Sequence, residues 1–183
     1  TMFHNLAEEI RATDKAEVDP ADFRTGYTYT HHPENPALKD LSEGMLASLR
    51  EKFAGKEITL IRGSYFDVPL GKACFDGAVS VESLHHFTGE AKIALYSRLC
   101  QSLKPGAAFI LTDYFSLNNE EEESFFAELA RLKEEQRILD DEFYHFDTPL
   151  TVRHETEALL EAGFSSVEIL GHWGATHTLK AKR

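Results

Sequence analysis

The chain has 183 residues, with 19 lysine and arginine residues against 31 aspartate and glutamate residues, and its formal net charge is −12. So acidic a chain should be repelled by nucleic-acid phosphates, and no cluster of basic residues offsets this. It contains no apolar run near the roughly 18 residues of a membrane span, and because its first residues lack a basic region followed by an apolar core, no signal sequence is expected. Cys74 and Cys100 lack metal-ligand spacing. These features favour a cytoplasmic protein with reduced thiols.

The first third of the chain predicts two helices separated by an irregular segment. The length suits one domain with a sizeable core, which we expect to span residues 1–183. A first helix is predicted from Met2 to about Ala12, whereas residues 14–36 are rich in turn formers and aromatic residues. A second helix is predicted between Asp40 and Gly55, because apolar residues recur there on one helical face.

Three apolar runs in the middle of the chain predict buried strands. They are Ile58–Ile61, Gly77–Val81 and Ala107–Leu111. They do not alternate with polar residues, as expected for parallel strands covered on both faces. The polar or aromatic clusters that follow them are Gly63–Asp67, Glu82–Phe87 and Thr112–Phe115. Because carboxyl ends of parallel strands share one edge of a sheet, where ligands bind, the three clusters should meet there.

Helix signals surround and follow these strands. Thr88 is predicted to cap a helix that ends at Lys104–Gly106. A long amphipathic helix is predicted to begin near the four glutamates 120–123. These glutamates could form a binding patch, but the helix dipole also favours negative charge in a first turn. A further helix is predicted from about His154 to Ala162.

The end of the chain predicts two strands close enough to pair as an antiparallel hairpin, Ser166–Leu170 and about Thr176–Ala181. The preceding elements alternate in the order helix, strand, strand, helix, strand. That alternation predicts an α/β fold with a doubly wound, mostly parallel, Rossmann-like sheet. The C-terminal antiparallel hairpin is expected to close this sheet.

Five short motifs, in this order and spacing, resemble the class I S-adenosylmethionine-dependent methyltransferases. They are Asp40–Leu46, Gly63–Leu70, Phe75–Ser80, Leu84–Phe87 and Leu103–Gly106. Thr148–Thr151 and Leu159–Phe164 resemble the members that act on small molecules. The resemblance implies S-adenosylmethionine as cofactor and methyl transfer to a small-molecule acceptor. It also implies an N-terminal arm over residues 1–39 and a helical lid insertion over residues 116–150.

The resemblance places the cofactor along the predicted strand ends. Asp40 matches an acidic residue that accepts hydrogen bonds from the ribose hydroxyls, although it could instead cap a helix. Ser64 takes the place of a residue that contacts the adenine amine. Tyr65 or Phe66 could cover the adenine ring or pack in the core. The implied cofactor-binding residues are Asp40, Leu41, Ser64, Tyr65, Phe66, Ser80, Val81, Glu82, Leu84 and His85.

His85, His86 and Tyr114 are the candidate catalytic residues, at the place where the methyl group meets its acceptor. Methyl transfer is an in-line displacement, so positioning and water exclusion can supply much of the catalysis. A base is needed only if the acceptor loses a proton, and histidine suits that task near neutral pH. The two histidines could alternatively be loop residues bonded to backbone. Asp113 is a further acceptor-site candidate.

The C-terminal half is rich in histidine, but no metal site is expected there. The residues that raise the question are Tyr144, His145, His154, His172, Trp173 and His177. None of the pairs has a clear i, i+4 helical placement with a carboxylate partner. Tyr144 and His145 are instead expected in the lid. From the N-terminal side, contributions to the acceptor pocket are expected from Tyr27, Tyr29, His31 and His32.

One departure from the family is large. The first strand and its Gly-x-Gly loop should lie upstream of Asp40, but residues 31–39 contain no glycine and no strand signal of useful length. A strand, turn, helix and second strand need on the order of 30 residues. Without that central strand, its two neighbours would keep unpaired backbone groups that cost about 1 to 3 kcal/mol each.

We therefore hypothesise that the natural polypeptide contains a segment between about Thr30 and Asp40 that this sequence lacks. Intact mass spectrometry tests this, because a mass near the calculated 20.7 kDa would contradict it. If the segment is truly absent, a degenerate, non-catalytic methyltransferase-like binding domain becomes the alternative function. A nicotinamide dehydrogenase is disfavoured, because its own Gly-x-Gly-x-x-Gly motif is equally missing.

Overall fold

The computed structural model describes residues 27–31, 37–40, 43–55, 59–139 and 146–183. The strands in these segments are β1 Tyr27–His31, β2 Ala37–Asp40, β3 Thr59–Arg62, β4 Phe75–Val81, β5 Leu103–Tyr114, β6 Ser166–Trp173 and β7 Thr176–Lys182. The helices are α1 Glu43–Lys52, α2 Gly89–Ser102, α3 Asn119–Gln136 and α4 Val152–Glu161. Among these helices, none combines the length and apolar character needed to cross a bilayer.

The strands form one sheet in the order β3-β2-β1-β4-β5-β7-β6, which confirms the α/β class. β2 pairs with β3 in parallel, and so does β4 with β5. The other four neighbouring pairs are antiparallel. The expectation of mostly parallel pairing is therefore wrong, because β1 and β7 run against the other five strands. Even so, β2, β3, β4 and β5 all end at the same edge of the sheet.

β1, which the sequence did not predict as a strand, lies between β2 and β4 in the sheet. Thr28 of β1 is paired with Lys39 of β2 on one side and with Ser80 of β4 on the other. Only five residues, 32–36, connect β1 to β2. A parallel crossover needs a dozen or more residues, so β1 must run antiparallel to β2.

This pairing removes the energetic reason for a missing segment, because the expectation of unpaired neighbours is wrong: β2 and β4 are both paired with β1. The missing segment itself stays a hypothesis for mass spectrometry. The helix predicted over residues 2–12 lies outside the described residues.

Most helices begin and end where the sequence predicted. Thr88 caps α2, and its hydroxyl accepts a hydrogen bond from the Ala91 N–H. α2 ends at Ser102, directly before the predicted stop at Lys104–Gly106, and these three residues already belong to β5. Leu103 is extended and fully buried directly after α2, so the chain turns from helix to strand without a loop. Asp113 and Tyr114 accordingly lie inside β5 rather than after it.

One of the glutamates at the start of α3 makes structural contacts with α4 and its cap. Asn118 caps α3, and its side chain accepts from the Glu121 N–H. The buried Glu122 accepts a 2.5 Å hydrogen bond from the Thr151 N–H and lies 2.7 Å from His154 Nδ1. This contact ties the start of α3 to the start of α4, which Thr151 caps. It favours the structural interpretation of that glutamate.

The core lies where α2 and α4 pack beside β5. Its fully buried large side chains include Tyr96, Phe109, Phe115 and Leu159. A buried ion pair joins the two helices, with Lys92 Nζ donating to Glu155 Oε2 at 2.7 Å and Tyr96 donating to the same carboxylate. Removing one member would leave an uncompensated buried charge, which destabilises strongly. The pair therefore fixes how α4 sits against α2 and β5.

Candidate functional site

The candidate site lies at the edge of the sheet where β4 and β5 end. Val81 and Thr112 are paired there, and the Glu82 N–H donates to the Thr112 carbonyl at 2.8 Å. Glu82 has a φ of 46°, in the left-handed region that is uncommon for residues other than glycine. The strand thus turns sharply into the loop that carries His85 and His86.

Asp113 organises this edge from a buried position, with only 2% of its surface exposed. Its Oδ2 accepts from the Leu84 N–H and its Oδ1 from the Tyr114 N–H, both at 2.9 Å. Oδ1 also lies 2.5 Å from His85 Nδ1. Burial alone would raise the pKa of Asp113, but the hydrogen bond and charge of His85, with Lys92 and the Leu84 N–H, lower it overall. The carboxylate is therefore ionised and fixes the loop after β4.

His85 is held between two carboxylates. Its Nδ1 faces Asp113, and its Nε2 lies 3.6 Å from Asp147 Oδ1. Burial alone would lower the pKa of the imidazole, but the hydrogen bond to Asp113 and the charges of both carboxylates raise it overall. With Nδ1 committed to Asp113, Nε2 is the nitrogen that can meet a ligand.

Asp147 reaches the site because the segment after it is anchored. The buried Thr148 donates its N–H to the His85 carbonyl at 2.7 Å. The Ser116 hydroxyl donates to the Pro149 carbonyl, also at 2.7 Å. These bonds bring Asp147 Oδ1 to 3.0 Å from His86 Nδ1. Sequence reasoning missed Asp147, and the one available signal was its place before the Thr148–Thr151 motif.

Tyr114 completes the group at the end of β5. The centroid of its ring lies 6.3 Å from that of His85 and 6.4 Å from that of Phe125 on α3, both edge-on. Burial, with the charges of Glu121 and Asp147, raises the pKa of the phenol. It is therefore protonated and can donate a hydrogen bond. The structure thus brings together His85, His86, Asp113 and Tyr114, as expected from the shared sheet edge.

The loop after β3 is held by Arg98 of α2. Its guanidinium donates to the carbonyls of Tyr65, Phe66 and Val68, with distances of 3.0 Å to Tyr65 and 2.6 Å to Val68. The rings of Tyr65 and Phe66 meet Phe87 edge-on, at centroid distances of 6.3 and 5.0 Å. Of the two interpretations left open for these aromatic residues, the geometry favours packing.

The remaining candidates for cofactor binding occupy different environments. Ser64 accepts from the Phe66 N–H at 3.2 Å, and Tyr65 Oη lies 3.2 Å from Ser83 Oγ. Ser80, Val81 and Leu84 are buried, whereas Glu82 is exposed. Asp40 is the last residue of β2, at the same edge as the histidines. Leu41 lies outside the described residues.

The peripheral candidates are dispersed. Tyr27, Tyr29 and His31 form part of β1. His32, Tyr144 and His145 lie outside the described residues. His172 and His177 stack on each other in the β6–β7 hairpin, at a centroid distance of 5.2 Å, and the exposed Trp173 ends β6 beside them.

One group in the described part of the chain could hold a metal ion. His85, His86 and Asp147 each offer one ligand atom, and these atoms all lie within 4.8 Å of one another. The expectation of no metal site rests on residue pairs in the C-terminal half of the chain and does not include Asp147.

We expect the Asp113→Asn variant to have a free energy of unfolding lower by on the order of 3 kcal/mol, because the buried amide would lose the charge that holds two backbone N–H groups and His85. Asp147→Asn, at a carboxylate that is 52% exposed, should cost less than about 1 kcal/mol. Urea denaturation measures both. Equal decreases in the free energy of unfolding of the two variants would contradict the conclusion that Asp113 organises this edge.

Comparison with known proteins confirms the resemblance to class I methyltransferases. Residues 28–106 match a family model described as a methyltransferase domain. No curated protein matches the chain. The matched residues run from β1 to the first residues of β5 and include the loop that carries His85 and His86.

Solved structures show the same fold. Human N-acetylserotonin methyltransferase has a TM-score of 0.56 at 17% identity over 80% of this chain and 40% of its own. A methyltransferase from Mesorhizobium loti has a TM-score of 0.56 at 19% identity over 80% of both chains. The apo form of the methyltransferase SibL has a TM-score of 0.58 at 17% identity, and this chain spans 42% of it. The chain thus covers about two fifths of SibL and of the human enzyme.

Proposed function

We propose that this chain is an S-adenosylmethionine-dependent methyltransferase domain that acts on a small-molecule acceptor. The observation that carries the proposal is the match to a methyltransferase domain over the strands whose ends hold the candidate site. Related folds include human N-acetylserotonin methyltransferase in complex with S-adenosylmethionine and PigF with S-adenosylhomocysteine. The C-terminal motifs that resemble small-molecule members support the acceptor class.

The ends of β2, β3 and β4 are the proposed cofactor site. Asp40 would accept hydrogen bonds from both ribose hydroxyls, since a carboxylate has two acceptor oxygens. Leu41 and the loop of Ser64, Tyr65 and Phe66 would border the adenine. The hydrogen bonds from Arg98 to this loop support that assignment, because they fix the conformation of the loop independently of a ligand. The floor of the cofactor site would be formed by Ser80, Val81, Glu82, Leu84 and His85.

The histidine group is the proposed acceptor site. When bound, S-adenosylmethionine supplies an electrophilic methyl group on a sulfonium sulfur. His85, held at Nδ1 by Asp113, presents Nε2 to take a proton from the acceptor. His86 and the protonated Tyr114 would orient the acceptor. The edge-on contact between Tyr114 and Phe125 supports a covering function for α3, within the proposed lid of residues 116–150.

A non-catalytic binding domain is the alternative, and the direction of β1 favours it. In the family, the first strand leads into the glycine-rich loop beside the methionine part of the cofactor. Here β1, the strand between β2 and β4, runs antiparallel to both, and the described part of β1 and β2 contains no glycine. This alternative predicts ligand binding without turnover.

Calorimetric titration with S-adenosylmethionine and S-adenosylhomocysteine tests the cofactor site. We expect micromolar binding, weakened at least about tenfold by Asp40→Ala through loss of the ribose hydrogen bonds, equivalent to about 1.4 kcal/mol. Glu51→Ala, at an exposed position of α1, is the matched control and should bind like the parent. Absence of binding by the folded parent protein would contradict the methyltransferase proposal.

Turnover separates catalysis from binding. In an acceptor screen that measures S-adenosylhomocysteine release, His85→Gln should lower kcat by about 10²- to 10⁴-fold if the acceptor must lose a proton. The affinity for S-adenosylhomocysteine should fall much less than kcat, because His85 forms only part of the floor of the cofactor site. An unchanged kcat would exclude His85 as the base. Binding by the parent with no turnover on any acceptor would favour the non-catalytic alternative.

A further inference from the structure

The group formed by His85, His86 and Asp147 has the dimensions of a metal site. Asp147 Oδ1 lies 3.0 Å from His86 Nδ1 and 3.6 Å from His85 Nε2. In a tetrahedral site with metal–ligand bonds of about 2.0 to 2.1 Å, neighbouring ligand atoms are about 3.3 to 3.4 Å apart. The two observed distances lie on either side of this value. Because all three ligand atoms lie within 4.8 Å of one another, a small side-chain movement would close the triangle.

Hydrogen bonds from neighbouring residues orient two members of this group, His85 and Asp147. A histidine that binds a metal commonly gives its other ring N–H to a carboxylate. His85 has that arrangement, with Nδ1 at 2.5 Å from the buried Asp113 and Nε2 turned toward Asp147. Asp113 is itself fixed by two backbone N–H groups. Asp147 is positioned by the bond from Thr148 to the His85 carbonyl.

The accessibility of the group fits a site that also receives a substrate. The side chains of His85 and His86 are 13% and 20% exposed, and that of Asp147 is 52% exposed. Three protein ligands leave at least one coordination position open, as in catalytic rather than structural sites. The open side would face the acceptor region near Tyr114.

The donor set selects the kind of ion. Two imidazole nitrogens and one carboxylate oxygen suit Zn²⁺, Co²⁺ or Ni²⁺, whereas Mg²⁺ and Ca²⁺ prefer oxygen ligands. With neutral histidines, Asp113 and Asp147 would leave two negative charges that a divalent cation balances. We propose that His85, His86 and Asp147 bind a divalent transition-metal ion such as Zn²⁺.

Such an ion would coordinate an oxygen or nitrogen atom of the acceptor and orient it next to the methyl group. This use of the ion rests on the proposed methyltransferase function, but the metal binding itself does not. The competing explanation is a metal-free network in which the histidines and carboxylates share protons.

Titration of the full chain with Zn²⁺ and Co²⁺, without S-adenosylmethionine, tests the proposal. We expect one equivalent to bind with micromolar or higher affinity, with Co²⁺ producing visible absorption bands and Mg²⁺ binding at least about tenfold more weakly. His86→Ala and Asp147→Asn should each weaken Zn²⁺ binding at least about tenfold. The control His172→Ala removes an exposed histidine of the β6–β7 hairpin and should titrate like the parent.

Two results would overturn the proposal. One is the absence of Zn²⁺ binding by the folded parent protein. The other is binding that survives both His86→Ala and Asp147→Asn, which would place the ion on other histidines. Asp147→Asn changes a half-exposed side chain, so circular dichroism should show a folded variant. Since the cofactor titration is a separate measurement, failure of metal binding and failure of the methyltransferase proposal are distinguishable.

Discussion

The pairing of β1 with both of its neighbours is the constraint on which the site depends. β2 with β3 and β4 with β5 are two parallel pairs, and β1 joins them into one sheet. Because β1 runs antiparallel to β2 and β4, these two strands point the same way. Asp40 at the end of β2 and the histidine loop after β4 therefore lie on one edge. An antiparallel β1 thus preserves the arrangement that a ligand at this edge requires.

At that edge, the buried Asp113 carboxylate fixes the backbone and the side chain that follow the ends of the strands. It binds the Leu84 N–H of one strand end and the Tyr114 N–H of the next, and it orients the His85 ring. A carboxylate can be buried at this point because two N–H groups and an imidazole offset its desolvation. The same contacts keep it ionised, with a pKa below the ordinary value. Removing it would change the loop and the histidine together.

Sequence patterns predicted the elements whose signals are local. Thr88 and Gly55 mark helix ends because caps and stops act within a few residues. β1 was missed because its five residues lie within a stretch rich in turn formers and are stabilised by partners such as Val81, more than 50 residues away. Asp147 was missed for the same reason, since the hydrogen bonds from Thr148 to His85 and from Ser116 to Pro149 bring it to the site. Contacts of this range depend on topology, which short motifs do not encode.

The contact between Asp113 and His85 fits two uses of the same imidazole. By holding the proton on Nδ1, it leaves Nε2 with a lone pair, which can accept a proton or bind a metal ion but cannot do both at once. With a metal ion bound, His85 would no longer be the base, and proton removal from the acceptor would depend on the ion lowering the acceptor's pKa. Asp147 distinguishes the two uses. A base needs only the Asp113 side of the ring, whereas an ion needs the anchored carboxylate opposite it.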